Sequence, residues 1–318
     1  MEYNYYHLWD HWDQIRSLKK VPKKLKIFAA EEWEISRYWN IDFSIFDNKS
    51  VDIVFGTYST EFYKEMEYFP QNVNVHCWPN YWCMHTKYQL QKEFQAPVDC
   101  EIKNLFVSLN NQPWEHRCLM IDLFEKENIL SKNIVTWHYP DVEYNWKYWK
   151  PKHLFLNDNY AKTRNTYKKI PKEYFESLIN VVAESTPDKP FLTEKTWTAV
   201  FLEKPFLIVG AKGIHQYLQT LGIEMYDEIF DYSFDNYDTI EERIIGVIEN
   251  LKKLENLDLT MLKEKTKEKA KRNKLAAEHL SKNETLIPDV VKKHFVYMEN
   301  NINKINGIDH LWRSIKGA

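Results

Sequence analysis

FLTEKTWTAVFLEKPFLIVGAKG, from Phe191 to Gly213, packs a polar turn, an amphipathic helix, a buried strand and a glycine turn into one short segment. Thr193, or the turn before it, is placed to cap a helix whose first turn carries Glu194 and Lys195. Trp197, Val200 and Phe201 then recur at the spacing of one buried helical face. Pro205 stops that helix, and PFLIVG reads as a continuously apolar strand, the pattern of a parallel sheet covered on both faces. Gly210 and Gly213 end it.

Outward from this segment the same rhythm continues. Upstream, SLINVVAEST predicts a strand ending near Glu184; downstream, HQYLQTLGI predicts a helix, FDYSFDNYD an acidic loop and IEERIIGVIENLKKL an amphipathic helix. Nearer the N-terminus, LKIFAA, VDIVFGT, VNVHCW, LFVSLNN and IVTWHY read as further strands, with the helix PWEHRCLMIDLFEKENIL burying Leu119, Met120, Leu123 and Phe124. Strands alternating with helices predict an α/β chain. Residues 86–103, TKYQLQKEFQAPVDCEIK, read as a polar connection between two halves, and the lysine-rich tail from Asp258 as helical with a break at Pro288.

With 318 residues and 44% hydrophobic content, the chain can bury ample core and is long enough for two domains. Only 7 glycines are present, which excludes a glycine-rich phosphate loop. A net charge of −3 gives no global basic field of the kind that coats nucleic acid. The four cysteines form no CxxC pair and fit a reducing compartment. No run approaches the roughly 20 apolar residues of a membrane span, and MEYNYYHLWDHWD is not a secretory leader, so the expectation is a cytoplasmic protein without a membrane partner.

Several residues carry chemistry. A carboxylate beside a lysine at a helix start suits a nucleotide sugar: Glu194 can accept hydrogen bonds from ribose hydroxyls, while Lys195 and free backbone N–H groups can face a pyrophosphate. The same two residues also fit a solvated ion pair at an ordinary helix start. Glu31 and Glu32 follow the strand KIFAA, where open α/β sheets keep their crevice, and one of them suits a general base; acids also favour the start of a helix such as EEWEISRYW. Asn110, Asn111 and Arg117 flank the junction after LFVSL. The Arg117 fork can clamp a diphosphate or form a surface salt bridge to Glu115 or Asp122. His76, Cys77, Cys83 and His85 match no zinc spacing, so no metal site is expected and His76 is read as a cleft-side residue. An Asp-x-Asp metal motif has only loose candidates, around Asp158 and Asp235. Residues 141–172 interleave aromatic rings with lysines, a pattern that holds single-stranded nucleic acid or a glycan and also occurs in plain long loops.

Taken together, these pieces resemble the α-1,3-fucosyltransferase family from about residue 26 to about residue 235. KIFAAEE matches the strand that ends in the family's glutamate, with Glu31 at the matching position, and VDIVFG with HCWPNYW matches its next two elements. SLNNQPWEHRCLMIDLF, with Arg117, is similar to the opening of the family's second half; AEST, FLTEK and KPFLIVG follow in its order. Ser185 stands where the family has asparagine, Phe191 where it has tyrosine, and Glu32 where it has asparagine. The resemblance implies a GT-B-like α/β fold, two Rossmann-like domains facing each other across a cleft. An acceptor-side domain would span 1–100 and a donor-binding domain 101–257, with a helical tail, 258–318, packing back on the first. It implies an inverting transferase that needs no metal or other cofactor, with a nucleotide-diphosphate sugar as donor. Glu31 would be the base, with Glu32 as fallback. Arg117 and Lys195 would neutralise the diphosphate and Glu194 would hold the ribose, with Thr193, Asn110, Glu184, Ser185 and Phe191 around the donor and His76, Trp78 and Tyr81 on the acceptor side. The cast of the chain looks like that of bacteriophage-encoded enzymes, whose acceptor is a glycan or a hydroxymethylated pyrimidine of DNA. The alternative is a non-catalytic nucleic-acid-binding protein that uses the 141–172 loop.

Overall fold

The computed structural model describes residues 4–7, 24–29, 43–47, 49–56, 69–93, 100–154, 170–187 and 191–293. The chain is α/β, and it divides into two compact units, Met1–His85 with Ser281–Ala318, and Thr86–Leu280.

The first unit is built on four parallel strands, β1 (Asn4–His7), β2 (Lys24–Ala29), β3 (Ser50–Phe55) and β4 (Val73–Cys77), lying side by side in chain order. Leu25, Ile27, Val51 and Ile53 alternate with Lys26 and Asp52 and are buried on one face, and Phe28, Ala29, Val54 and Phe55 at the carboxyl ends of the two strands are buried as well. Strand β1 lies within MEYNYYHLWDHWD, where no strand is expected, because four residues are too few to show a period. The polar residues Lys26, Asp52 and Asn74 stand directly opposite one another across three strands. The chain returns to this unit after residue 280, where Lys26 Nζ donates to Val290 O at 2.9 Å and Asn80 Nδ2 to Asn283 O at 3.3 Å.

Helix α1 (Tyr81–Glu93) occupies the first part of the segment that reads as a polar connector. Its apolar residues are crowded into the first turn, and only Thr86 and Leu90 continue the buried stripe, which is why the period is hard to see.

In the second unit the parallel strands β5 (Asn104–Ser108), β6 (Ile134–Val135), β7 (Ser177–Ala183) and β8 (Phe206–Val209) are ordered β6-β5-β7-β8. Every residue of β7 and β8 is buried, as a sheet covered by helices requires. The covering helices include α2 (Glu115–Lys126), α3 (Lys172–Phe175), α4 (Glu194–Phe201), α5 (Ile214–Thr220) and α6 (Ile240–Leu254), and α2 packs against α6. Helix α2 buries Met120, Leu123 and Phe124 but leaves Leu119 half-exposed, and it also buries His116, Arg117 and Asp122. Helix α6 starts in a capping box, in which Thr239 accepts from Glu242 N and the Glu242 carboxylate accepts from Thr239 N. Helix α7 (Leu259–Ser281) is bound to the same unit by Arg272 on Glu224 and by Asn273, whose side chain pairs with both main-chain groups of Glu224. Among the described residues no helix is long and apolar enough to cross a membrane.

Candidate functional site

The order β6-β5-β7-β8 has a physical consequence. From β5 the chain adds β6 on one side, then returns to add β7 on the other, so the strand order reverses between β5 and β7. Outside the carboxyl ends of two such strands the crossovers diverge and leave a crevice, the usual ligand position in an open parallel sheet. Glu184 follows the end of β7 directly, and Asn110 lies two residues past the end of β5.

Glu184 is fully buried, and both carboxylate oxygens are occupied. Oε1 accepts from Thr193 N at 3.0 Å and from Thr196 Oγ1 at 2.6 Å, and Oε2 accepts from Thr193 Oγ1 at 2.6 Å. The carboxylate at the end of β7 thus fixes the start of α4. Thr193 is the N-cap, its extended backbone and side chain arranged to receive Lys195 N. With its own hydrogen committed to Glu184, Thr193 Oγ1 also accepts from Lys195 Nζ at 3.0 Å. The ammonium further contacts Ser185 Oγ at 3.3 Å and Glu194 Oε1 at 3.0 Å. Burial works to raise the Glu194 carboxyl, but the Lys195 charge and hydrogen bond, the backbone and Thr193 together hold it below the usual carboxylate range. Lys195 and Glu194 keep 29% and 25% of their side-chain surface open, whereas Phe191 is buried in the apolar core.

Arg117 is not on the surface and pairs with neither Glu115 nor Asp122. It is buried on α2, where Nη2 donates to Ala183 O at 2.9 Å and to Glu184 O at 3.1 Å, and Nη1 donates to Gln112 O at 3.2 Å. Burial lowers its pKa to about 10, with Glu184 and Glu194 acting in the opposite sense, so it stays charged at neutral pH. The outer edge of its fork holds the carbonyl end of β7, and its Nε–H is buried with no hydrogen-bond partner among the described residues. Asn110 is equally buried, tied to Thr136 and Ser108, and its Oδ1 also lacks a partner among the described residues. A buried donor and a buried acceptor left open at one strand-to-helix junction are the kind of exception that a bound molecule resolves.

His116 and Thr196 escape a motif-based reading. His116 Nε2 donates to Glu184 O at 2.9 Å, so Nε2 is the nitrogen that carries the proton when the ring is neutral. Burial, reinforced by the Arg117 charge, holds its pKa down at about 4. The only sequence signal for Thr196 is its place one helical turn after Thr193. Asp122 also organises backbone, its buried carboxylate accepting the N–H groups of Lys147, Tyr148 and Trp149 at 3.0, 2.9 and 2.8 Å. Residues 141–154 are thereby an ordered segment, with Trp137, Trp146 and Trp149 packed edge to face. Residues 155–169 of the same stretch lie outside the described residues. Asp235 is buried against His215, Oδ1 to Nδ1 at 2.7 Å, and its Oδ2 receives His215 N at 3.0 Å.

In the first unit, Glu31 and Glu32 lie outside the described residues. Trp78 and Tyr81, read as acceptor-side residues, are buried instead: Phe28 lies 5.9 Å from Trp78 and 4.9 Å from Tyr81, ring centre to ring centre, in an edge-to-face cluster. A ring with both faces in the core has none to offer a ligand. His76 differs, with 31% of its side chain exposed. Among the described residues no disulfide joins the cysteines, and no group of three or more His, Cys, Asp or Glu side chains is placed to hold a metal ion.

Comparison of the chain with protein-family models, with curated proteins and with solved structures gives no match.

Proposed function

We propose that the second unit binds the nucleoside diphosphate of a sugar donor at the carboxyl ends of β5 and β7, and that the protein is an inverting glycosyltransferase working without a metal. The observation that carries this reading is the coincidence of three features at the reversal of strand order: an ammonium held over the first turn of α4, a carboxylate beside it, and unpaired buried polar atoms on Asn110 and Arg117. Lys195 supplies positive charge where the departing diphosphate gathers negative charge, and the first-turn amides of α4 add their partial charges. Glu194 exchanges part of its Lys195 contact for ribose hydroxyls. Arg117 acts through its charge and its Nε–H, since its terminal nitrogens already brace β7. In transfer, the acceptor oxygen bonds to the anomeric carbon as the bond to the diphosphate breaks, the electron pair leaves with the phosphate, and the acceptor's proton passes to a base. Glu31, with Glu32 as fallback, is the proposed base on the family resemblance, and Glu31→Gln is expected to lower turnover by roughly a hundred- to ten-thousandfold without changing diphosphate binding; turnover at the wild-type rate would remove that assignment.

The acceptor is a hydroxyl of a glycan or of a hydroxymethylated DNA pyrimidine, met in the cytoplasm of a bacterial or phage-infected cell. Melting the protein with UDP, GDP, dTDP and CMP tests the donor class. One diphosphate should raise the melting temperature as a ligand of the folded state does, and CMP should do so less; a flat response to all four would dismiss the reading. A nucleic-acid-binding protein is the second reading, favoured by Tyr148, 48% exposed between the exposed Lys147 and Lys150. Binding of single-stranded DNA without hydrolysis of any nucleotide sugar would select it.

A further inference from the structure

Beyond β6 the chain leaves the second unit's sheet at His138 and comes back at His153 to pair with itself. At the base of this excursion Trp137 and Leu154 face each other in antiparallel sense and exchange both main-chain hydrogen bonds. Trp137 N donates to Leu154 O at 3.0 Å and Leu154 N to Trp137 O at 2.9 Å. The next facing residues are His138 and His153. Residues opposite each other beyond such a hydrogen-bonded pair stand close, with Cα atoms roughly 4.5 Å apart and side chains on one face. Because side chains alternate along extended backbone, that face is the one away from the buried Trp137. Exposure agrees, with His138 half-buried and His153 exposed. Burial and then the charge of His153 hold His138 below its ordinary pKa, which records the nearness of the two rings and leaves His138 neutral at neutral pH.

We infer that His138 and His153 together bind a divalent transition-metal ion of the Zn²⁺ type, which clasps the base of the 139–152 segment. Neutral imidazole suits Zn²⁺, Cu²⁺ and Ni²⁺, whereas Mg²⁺ and Ca²⁺ seek oxygen ligands. Zn–N bonds are roughly 2.0–2.1 Å long, and two rings on facing positions reach one such ion. Lys150 and Lys152, both exposed, lie beside His153 in the chain, so an ion held by charge alone is repelled and only ligand bonds favour binding. Two protein ligands are fewer than resident zinc sites use, so water completes the coordination and the ion exchanges readily. The clasp takes no part in the proposed transfer and does not depend on it. Its effect is on order. Asp122 already pins the amides of Lys147, Tyr148 and Trp149 from α2, and an ion between His138 and His153 closes the same segment at its base.

The two rings report on the ion directly. Chelator-treated wild-type protein is titrated with Zn²⁺, and with Mg²⁺ for comparison, while nitrogen-15 spectra follow the imidazole signals. Those of His138 and His153 should move together with Zn²⁺ and stay still with Mg²⁺. By calorimetry, His138→Gln and His153→Gln should each weaken Zn²⁺ binding by about tenfold or more, at least what losing a ligand's support costs. The double variant should be little worse than either single one, because a chelate fails when either arm is lost. His153 is exposed, so its replacement leaves the core alone, and unchanged amide signals from Val181 and Ile208 confirm the fold. With Zn²⁺ at about ten times its dissociation constant, amide exchange within 139–152 should slow by about tenfold in wild type and not in His153→Gln. Zn²⁺ that leaves both rings unmoved or moves one alone, equal binding by the variants, or exchange indifferent to Zn²⁺ would each overturn the inference.

Discussion

Replacing Glu184 by glutamine isolates the network that holds the start of α4. The carboxylate receives Thr193 N and Thr196 Oγ1 on one oxygen and Thr193 Oγ1 on the other. A backbone N–H cannot turn round, so the glutamine oxygen must face Thr193 N and its NH₂ must face Thr193 Oγ1. That hydroxyl already accepts from Lys195 N and Lys195 Nζ, which leaves little room for a third donor. One hydrogen bond to a buried charge is lost, about 1.5–3 kcal/mol, and the buried Arg117 loses a neighbouring negative charge. Removing the buried carboxylate's own desolvation offsets part of this, for a net destabilisation of about 2–3 kcal/mol. Urea unfolding of wild type and Glu184→Gln, compared at equal slope, reads the difference directly. A variant within about 0.5 kcal/mol of wild type would refute the claim that this carboxylate organises the site.

Two further tests address the surroundings. Gly246→Ala should destabilise the second unit although alanine is the better helix former by about 1 kcal/mol, because the added methyl would overlap the Phe234 side chain; a thermal melt showing stabilisation would contradict that packing. His116 binds its proton at about 4 in the folded state against an ordinary 6.5, so the unfolded chain takes up a proton first as pH falls. Its contribution is therefore complete above pH 6.5 and is lost progressively towards pH 4, by at most about 3 kcal/mol. His116→Gln keeps a donor for Glu184 O and should flatten denaturant midpoints across that window; an unchanged slope would show that His116 is not the titrating group.

The α/β class and the position of the central helix and strand were legible from Phe191–Gly213, because capping threonine, helical spacing, Pro205 and an apolar strand all point to one arrangement. Thr193 was legible as the cap of that helix and Glu194 with Lys195 as a pair in its first turn, whereas Glu184 joined them only through the family resemblance. Less legible was anything that depends on which way a side chain turns. Arg117 and Asp122 lie on one helix and look like exposed charges. Yet one braces the carbonyls of β7 and the other gathers three backbone N–H groups of the 147–149 turn, roles set by strand order and not by local sequence. Trp78 and Tyr81 look the same in sequence whether they stack on a ligand or fill a core. The Asp52–His76 pair arises from register between two strands and joins residues 24 apart in sequence, which no local pattern encodes.

The most direct test is isothermal titration of UDP, GDP and dTDP into the wild-type protein and into Lys195→Ala. One of these diphosphates should bind wild type, and its affinity should fall by about tenfold or more in the variant, the loss of one charge-assisted contact. Equal affinity in the two proteins, or no binding by any diphosphate, would contradict the placement of a donor site at the reversal between β5 and β7.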